Sequence, residues 1–225
     1  MAQTEQKNQN VKKQFEELQS LLERAMALQT SMVLFEWDDE TLAPKGAAEH
    51  TARVIGSLSE QYQEILASMR FKELLDACQK AEKENAGVFD EVQSAILREA
   101  AEEQERLSCI PPEEYRAYAE LTARATGIWT RAREKNDFAS FAPVLKEIIS
   151  YQKKFAAYRA KPGQKLYDVM LDTYEKGFNM EMLDPFFELM KGKIVPLLKE
   201  SAERSKTVPD AFLSADYPEA AQAVS

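Results

Sequence analysis

Trp37-Asp38-Asp39-Glu40-Thr41-Leu42-Ala43-Pro44-Lys45-Gly46-Ala47-Ala48 is a polar, helix-interrupting stretch set between two long amphipathic runs, and its reading decides the fold. Upstream, Val11, Phe15, Leu18, Leu22 and Ala25 step by 4, 3, 4 and 3, with Leu21 and Leu28 widening the stripe. That period predicts a helix with one buried face. Downstream of Pro44-Lys45-Gly46, Val54, Ile55, Leu58, Tyr62, Ile65, Leu66 and Met69 continue the pattern toward Cys78, so a second long helix is expected. Two long helices joined by a short polar bend predict an antiparallel hairpin in a bundle, since the chain has too few clean heptads for a coiled coil.

The rest of the chain reads as further helices. Asn85-Ala86-Gly87 closes the second run and marks a sub-boundary near 84–87. A third helix is expected from Val88 to Leu107, with an acidic face at Glu99, Glu102, Glu103 and Glu105, ending at Cys109-Ile110-Pro111-Pro112. Pro112 followed by Glu113 and Glu114 suits a helix start, because the first turn needs no proline amide and favours acidic side chains. This fourth helix should run to about Lys135. Asp137 then caps a fifth, with Phe141, Leu145, Ile148, Ile149 and Phe155 inward. After the loop Lys161-Pro162-Gly163-Gln164 come a short helix from Leu166 to Tyr174 and the punctuation Lys176-Gly177. Asn179 caps a last long helix ending near Lys206, with Leu183, Phe186, Phe187, Leu189, Met190, Ile194, Leu197 and Leu198 inward.

The expected fold is all-α, a multi-helix bundle of about seven helices with long antiparallel ones at the start. Composition agrees: 44% apolar residues can fill a core, while only 7 glycines and 9 prolines leave few tight turns. A net charge of -9 opposes binding to a phosphate backbone, so nucleic acid is not an expected partner. The N-terminal stretch MAQTEQKNQNVKKQ lacks a signal-peptide core and no apolar run is long enough to cross a bilayer; the reading is soluble and cytoplasmic, without a membrane partner. Asp216-Tyr217-Pro218-Glu219 has the arrangement of a capping box, yet only about two turns follow before Ser225. That end is read as a cut through a longer protein.

Candidate chemistry is sparse. Asp38, Asp39 and Glu40 are carboxylates of the type that suit hard cations. A structural role is favoured, with Asp38, Glu40 and Thr41 capping free amides at the bend and Trp37 closing the hydrophobic end. Asp168 and Asp172 lie one helical turn apart with Glu175 nearby; they would orient a partner arginine or stabilise a neighbouring active-site helix, or else form a solvated face. His50, the single histidine, has no companion at metal-ligand spacing, and Cys78 and Cys109 read as small buried hydrophobes rather than ligands joining His50. No di-iron Glu-x-x-His pair and no nucleophile motif occurs.

Four segments in order carry a family resemblance. The stretch Trp37–Ala48, including Asp38, Glu40, Thr41, Pro44 and Gly46, resembles the W-D-x-E-T-x-x-P-x-G-A-A fingerprint of the thermostable carboxypeptidase (Taq-type) family of zinc metallopeptidases. Trp129, Arg133, Asp137, Phe138 and Phe141 resemble its W-x-x-A-R-x-x-x-D-F-x-x-F stretch. Tyr167, Asp168, Asp172, Tyr174, Glu175 and Gly177 resemble its L-Y-D-x-L-L-D-x-Y-E-x-G segment, and Leu183–Leu198 follows as the next helix would. Lysine stands at 176 in place of the expected proline, and alanine at 43 where methionine is common.

The resemblance implies a longer, mostly helical carboxypeptidase, often a homodimer, that removes C-terminal amino acids from peptide substrates. In that chemistry zinc, or another divalent metal, polarises the scissile carbonyl and activates water, and the glutamate of H-E-x-x-H acts as base. This chain contains no H-E-x-x-H. It is therefore expected to hold no metal and no catalytic residue of its own, to be inactive alone, and to form a cleft wall or lid whose partner is a missing C-terminal catalytic half. The alternative is a stand-alone helical interaction or regulatory protein derived from that family. A fragment should expose an apolar patch where the missing half packs, and a stand-alone protein should be polar there.

Overall fold

The computed structural model describes residues 2–44, 46–205 and 213, and these contain eight α-helices and no strand. The helices are α1 (Ala2–Thr41), α2 (Ala48–Ala67), α3 (Met69–Glu84), α4 (Glu91–Ser108), α5 (Pro112–Glu134), α6 (Phe138–Arg159), α7 (Leu166–Tyr174) and α8 (Met180–Ser205). The chain divides into two compact units, residues 1–166 and 167–225, and Asn85–Gly87 lies inside the first. None of the helices among the described residues is long and apolar enough to cross a membrane.

In the first unit α2 is the central element, packing against α1, α3, α4 and α5. The predicted stripe of α1 is buried at Val11, Phe15, Leu18 and Ala25, and Leu21, Leu22 and Leu28 pack against the same core. Opposite it stand Leu66 of α2, Phe71, Leu74, Leu75 and Cys78 of α3, and Leu97 and Ala100 of α4. Each fully buried Leu or Phe here contributes about 1.5–3 kcal/mol through removal of apolar surface from water. The rings of Phe15 and Phe89 lie 5.0 Å apart, tying α1 to the segment before α4. A second aromatic group, Tyr118 of α5 with Tyr151 and Phe155 of α6, joins those two helices.

Local capping explains several boundaries. Asp137 accepts a hydrogen bond from the Ser140 amide at 3.2 Å and starts α6, and Asn179 accepts from the Met182 amide at 3.0 Å at the start of α8, both as the sequence predicted. Pro112 occupies the first turn of α5. Gly87, Gly163 and Gly177 have positive φ, at the loops where the punctuation was read.

Other expectations are corrected. The predicted second helix is two helices, because Ser68 is extended and its hydroxyl accepts from the Phe71 amide at 3.1 Å while donating to the Ile65 carbonyl at 2.8 Å. That cap turns Met69 outward, where it is 71% exposed. The third predicted helix begins at Glu91, not Val88, behind a capping box formed by Asp90 and Gln93. Cys78 is buried as expected but Cys109 is exposed, since it sits at the C-cap of α4 where the chain leaves the helix. On α6 Phe155 is buried whereas Ile149 is exposed. The inward face assigned to α8 is not buried: none of its described residues is, and Phe186, Phe187, Leu189, Met190, Ile194, Leu197 and Leu198 are all exposed. The capping box expected at Asp216–Glu219 lies outside the described residues.

Candidate functional site

The polar stretch that opens the reading of the sequence folds as the last turn of α1 and a tight turn into α2. The helix persists through Thr41, with Asp38 and Glu40 exposed and Asp39 half-buried. It cannot persist through Pro44, whose predecessor is pushed out of helical geometry. The Leu42 and Ala43 amides both close on the Asp38 carbonyl at 2.9 and 2.8 Å, and the Ala47 amide closes on the Pro44 carbonyl at 2.8 Å. The anticipated side-chain caps are not formed among the described residues: α2 starts with no side-chain cap, and the Thr41 hydroxyl donates to the Trp37 carbonyl at 2.6 Å. Backbone closure serves those amides instead. Trp37 does not close a hydrophobic end either, being 57% exposed.

Beneath this turn lies a cavity of about 260 Å³. Glu36, Asp39 and Glu40 come from α1, Thr51 and Ile55 from α2, and Thr122 and Thr126 from α5. One wall thus carries carboxylates and the other hydroxyls. Thr126 lies one helical turn before Trp129, so the second family-like segment starts on the helix that closes the cavity. There the Arg133 guanidinium stacks 5.2 Å from the Trp129 ring centroid. Asn136, with φ of 51°, turns the chain into the Asp137 cap, and Phe138 just beyond is exposed.

An ion-pair lattice holds α2 against α5. Arg116 reaches Glu60 at 2.9 Å and Glu120 at 3.0 Å, and Arg124 reaches Glu49 and Glu120, both at 3.6 Å. Gly56 makes the close approach possible, because a Cβ there would lie inside van der Waals contact of Glu120 Cγ and 2.8 Å from its Oε1. Further along α2, Tyr62 donates to Glu103 at 3.1 Å, and Glu103 also pairs with Arg106. Burial and the neighbouring Glu103 carboxylate push the Tyr62 phenol well above its ordinary range. Sequence reading missed these contacts; an isolated glycine within a helical pattern, here Gly56, is the one local sign of the close approach.

In the second unit, Asp168 and Asp172 are acceptors for backbone amides. Asp168 Oδ1 accepts from the Met180 amide at 2.9 Å, and Asp172 Oδ1 accepts from the Gly177 amide at 2.8 Å. The two carboxylates, one turn apart on α7, brace the turn into α8. Gly177 supplies the positive φ of 81° that the turn requires, and the Glu175 carbonyl accepts from the Phe178 amide at 3.0 Å. Tyr167 and Tyr174 are exposed.

His50 is exposed in the first turn of α2 and does not meet the two cysteines in a site. The described residues hold no group of three or more His, Cys, Asp or Glu side chains that could hold a metal ion. The carboxylates at the cavity therefore do not fit a zinc centre, and no hydrolytic step is assigned to residues of this chain.

Sequence and fold comparisons agree on a lineage. Residues 17–225 match the family model described as carboxypeptidase Taq (M32) metallopeptidase. The chain belongs to this family. Carboxypeptidase 1 of Bacillus subtilis is 32% identical over 202 residues, covering 90% of this chain and 39% of that protein. Thermostable carboxypeptidase 1 of Pyrococcus furiosus is 31% identical over 183 residues, covering 81% and 36%. The crystal structure of BsuCP superposes with a TM-score of 0.85 at 30% identity, over 92% of this chain and 41% of the other. Metallocarboxypeptidase 1 of Trypanosoma cruzi gives 0.69 at 26% identity, over 92% and 40%. The M32 chain thus spans about two fifths of the length of the relatives it matches.

Proposed function

We propose that this chain is the N-terminal helical part of a zinc-dependent metallocarboxypeptidase that releases C-terminal amino acids from peptides, forming a wall or lid of the substrate cleft, and that it is inactive alone. The observation that carries the reading is the partial span: the family match runs through nearly the whole chain but through only 36–42% of the curated relatives' lengths. The single histidine supports it, since a zinc site of the H-E-x-x-H kind needs two on one helix face. So does α8, whose apolar side chains are exposed over 26 residues. A contiguous apolar face of that length marks an interaction surface, and the remaining part of the enzyme is the natural cover for it. Zinc or another divalent metal would then be held by residues outside these 225, with a homodimer as the family assembly.

The test is expression of two forms, the 225-residue chain and the full reading frame that contains it, each assayed with zinc for release of the C-terminal residue from an N-blocked peptide. The expected result is activity in the full product only, abolished by chelator. Hydrolysis by the 225-residue chain, or a full frame lacking H-E-x-x-H, would overturn the proposal.

A further inference from the structure

Away from the signature turn, the first unit carries a groove of about 580 Å³. Its walls are α1 and α4 and its floor is α2. Leu22 and Met26 line one wall, Val92 and Ile96 the other, and Tyr62 and Leu66 the floor. Met26 is 59% and Val92 68% exposed, so both walls present large apolar side chains to water. Ala25, Ala95 and Ala100 keep the channel open between them. The wall residues recur at helical spacing along α1 and α4, a pattern that the side chains of an amphipathic helix can match.

The rim has one sign of charge. Glu23 stands on the α1 side and Glu99 and Glu103 on the α4 side, and among the described residues no lysine or arginine lines the groove. Glu103 is engaged with Arg106 and Tyr62, whereas Glu23 and Glu99 line the groove from α1 and α4. The acidic face of α4 visible in the sequence is therefore part of a feature with an apolar centre.

We propose that the α1–α4 groove is a docking site for an amphipathic helix of a partner protein, one with apolar residues at i, i+4 and i+7 and with lysine or arginine flanking them. The apolar stripe would displace water from Met26, Val92 and Ile96, and the flanking cations would meet Glu23 and Glu99. Desolvating the channel supplies affinity, while the acidic rim selects sign and speeds encounter. Binding of this type weakens with salt.

The probe is a synthetic helical peptide of leucine and lysine with that spacing, titrated against the intact 225-residue chain by fluorescence anisotropy. Its leucine–glutamate counterpart serves as control. Val92→Lys and Met26→Lys alter exposed wall positions, and Leu189→Lys on α8 controls for the other apolar surface. The expected result is binding of the lysine peptide only, at least tenfold weaker with either groove variant and unchanged with Leu189→Lys. Equal affinity for the groove variants, binding of the glutamate peptide, weakening by Leu189→Lys alone, or no binding would each overturn the proposal. Sedimentation of the unliganded chain addresses a second copy as occupant: a dimer that Val92→Lys dissociates would also overturn it.

Discussion

Gln63 is the most informative single position to perturb. It is 0% exposed on α2, and its amide nitrogen donates to the carbonyls of Leu107 at 3.1 Å and Ile110 at 2.5 Å. These lie at the end of α4, where a helix leaves carbonyls without partners. Its Oε1 finds no donor among the described residues. Gln63→Met keeps the length of the side chain and removes both features together. Losing two hydrogen bonds costs about 1–3 kcal/mol at ~0.5–1.5 each, and removing a buried unsatisfied oxygen returns a similar amount. The Leu107 and Ile110 carbonyls also lose a buried donor, so the variant should be destabilised by about 1–3 kcal/mol. Gln63→Glu behaves differently, because it directs a second oxygen at two carbonyls. In the protonated form it can donate to one of them; in the charged form it is desolvated and repelled. The folded state therefore raises the pKa of the new carboxyl above its unfolded value of about 4.3. The sign follows: stability is retained below that value and lost as pH rises from it toward the folded pKa. A rise of about three units corresponds to roughly 4 kcal/mol lost by pH 8. Urea midpoints for parent and both variants at pH 4.5 and pH 8 measure it. A midpoint for Gln63→Glu equal to the parent's at both pH values would refute the claim that this amide is buried.

Gly56→Ala tests the close approach of α2 to α5. Overpacking costs about 1–3 kcal/mol and the gain in helix propensity returns about 1, so the single change is destabilising or neutral. In a Glu120→Ala background the clash is gone, and the same change should stabilise by about 1 kcal/mol in chemical denaturation. Asp137 has a carboxyl held below the usual range first by the Ser140 hydroxyl and then by the Ser140 amide. Its contribution is present above the unfolded value of about pH 4 and lost as pH falls through the lower folded value. The melting-temperature gap between parent and Asp137→Asn should therefore close on acidification. Burial pushes the Cys78 thiol up to about 11, whereas Cys109 is exposed. A chromogenic disulfide reagent at pH 8 should titrate one thiol in the native chain and two in denaturant, and Cys109→Ser should remove the native reaction.

The sequence was most legible where structure is decided within one turn of the chain. Asp137 and Asn179 start helices through contacts with residues three positions away, Pro112 fits a first turn by its own backbone angle, and Leu166–Tyr174 has the ends its punctuation implied. Ser68 uses the same kind of cap but sits inside an uninterrupted apolar pattern, so periodicity concealed it. Asp90 and Gln93 form a box whose spacing was available to a reader, behind the misplaced start at Val88. Asp168 and Asp172 share a face as their spacing requires. Their acceptor roles depend on where the turn carries the Met180 and Gly177 amides, and that is a property of tertiary geometry. The α2–α5 ion pairs are likewise long-range: Arg116 and Glu60 are 56 positions apart.

Burial of α8 was illegible for a different reason. Periodicity records that a face is suited to being covered, not which residues cover it. The stripe of α1 from Val11 to Ala25 is covered chiefly by α2 and α3, whereas the equally periodic stripe of α8 is exposed. One helix, α2, links the features that can be tested independently. Its N-terminal half lines the signature cavity through Thr51 and Ile55, and its C-terminal half floors the acidic groove through Tyr62 and Leu66. Ile55 and Tyr62 are seven residues apart, about 10 Å along the axis. Gly56 and Gln63 lie along the same span and fix α2 against α5 and the end of α4. A substitution at Val92 changes only a wall of the groove, so it should leave the cavity turn and its Trp129–Arg133 stack unaltered. Gln63→Glu loosens the support shared by both, and at pH 8 it should weaken peptide binding and shift tryptophan emission together. Separate responses in those two signals would mean that α2 does not act as a common rigid support.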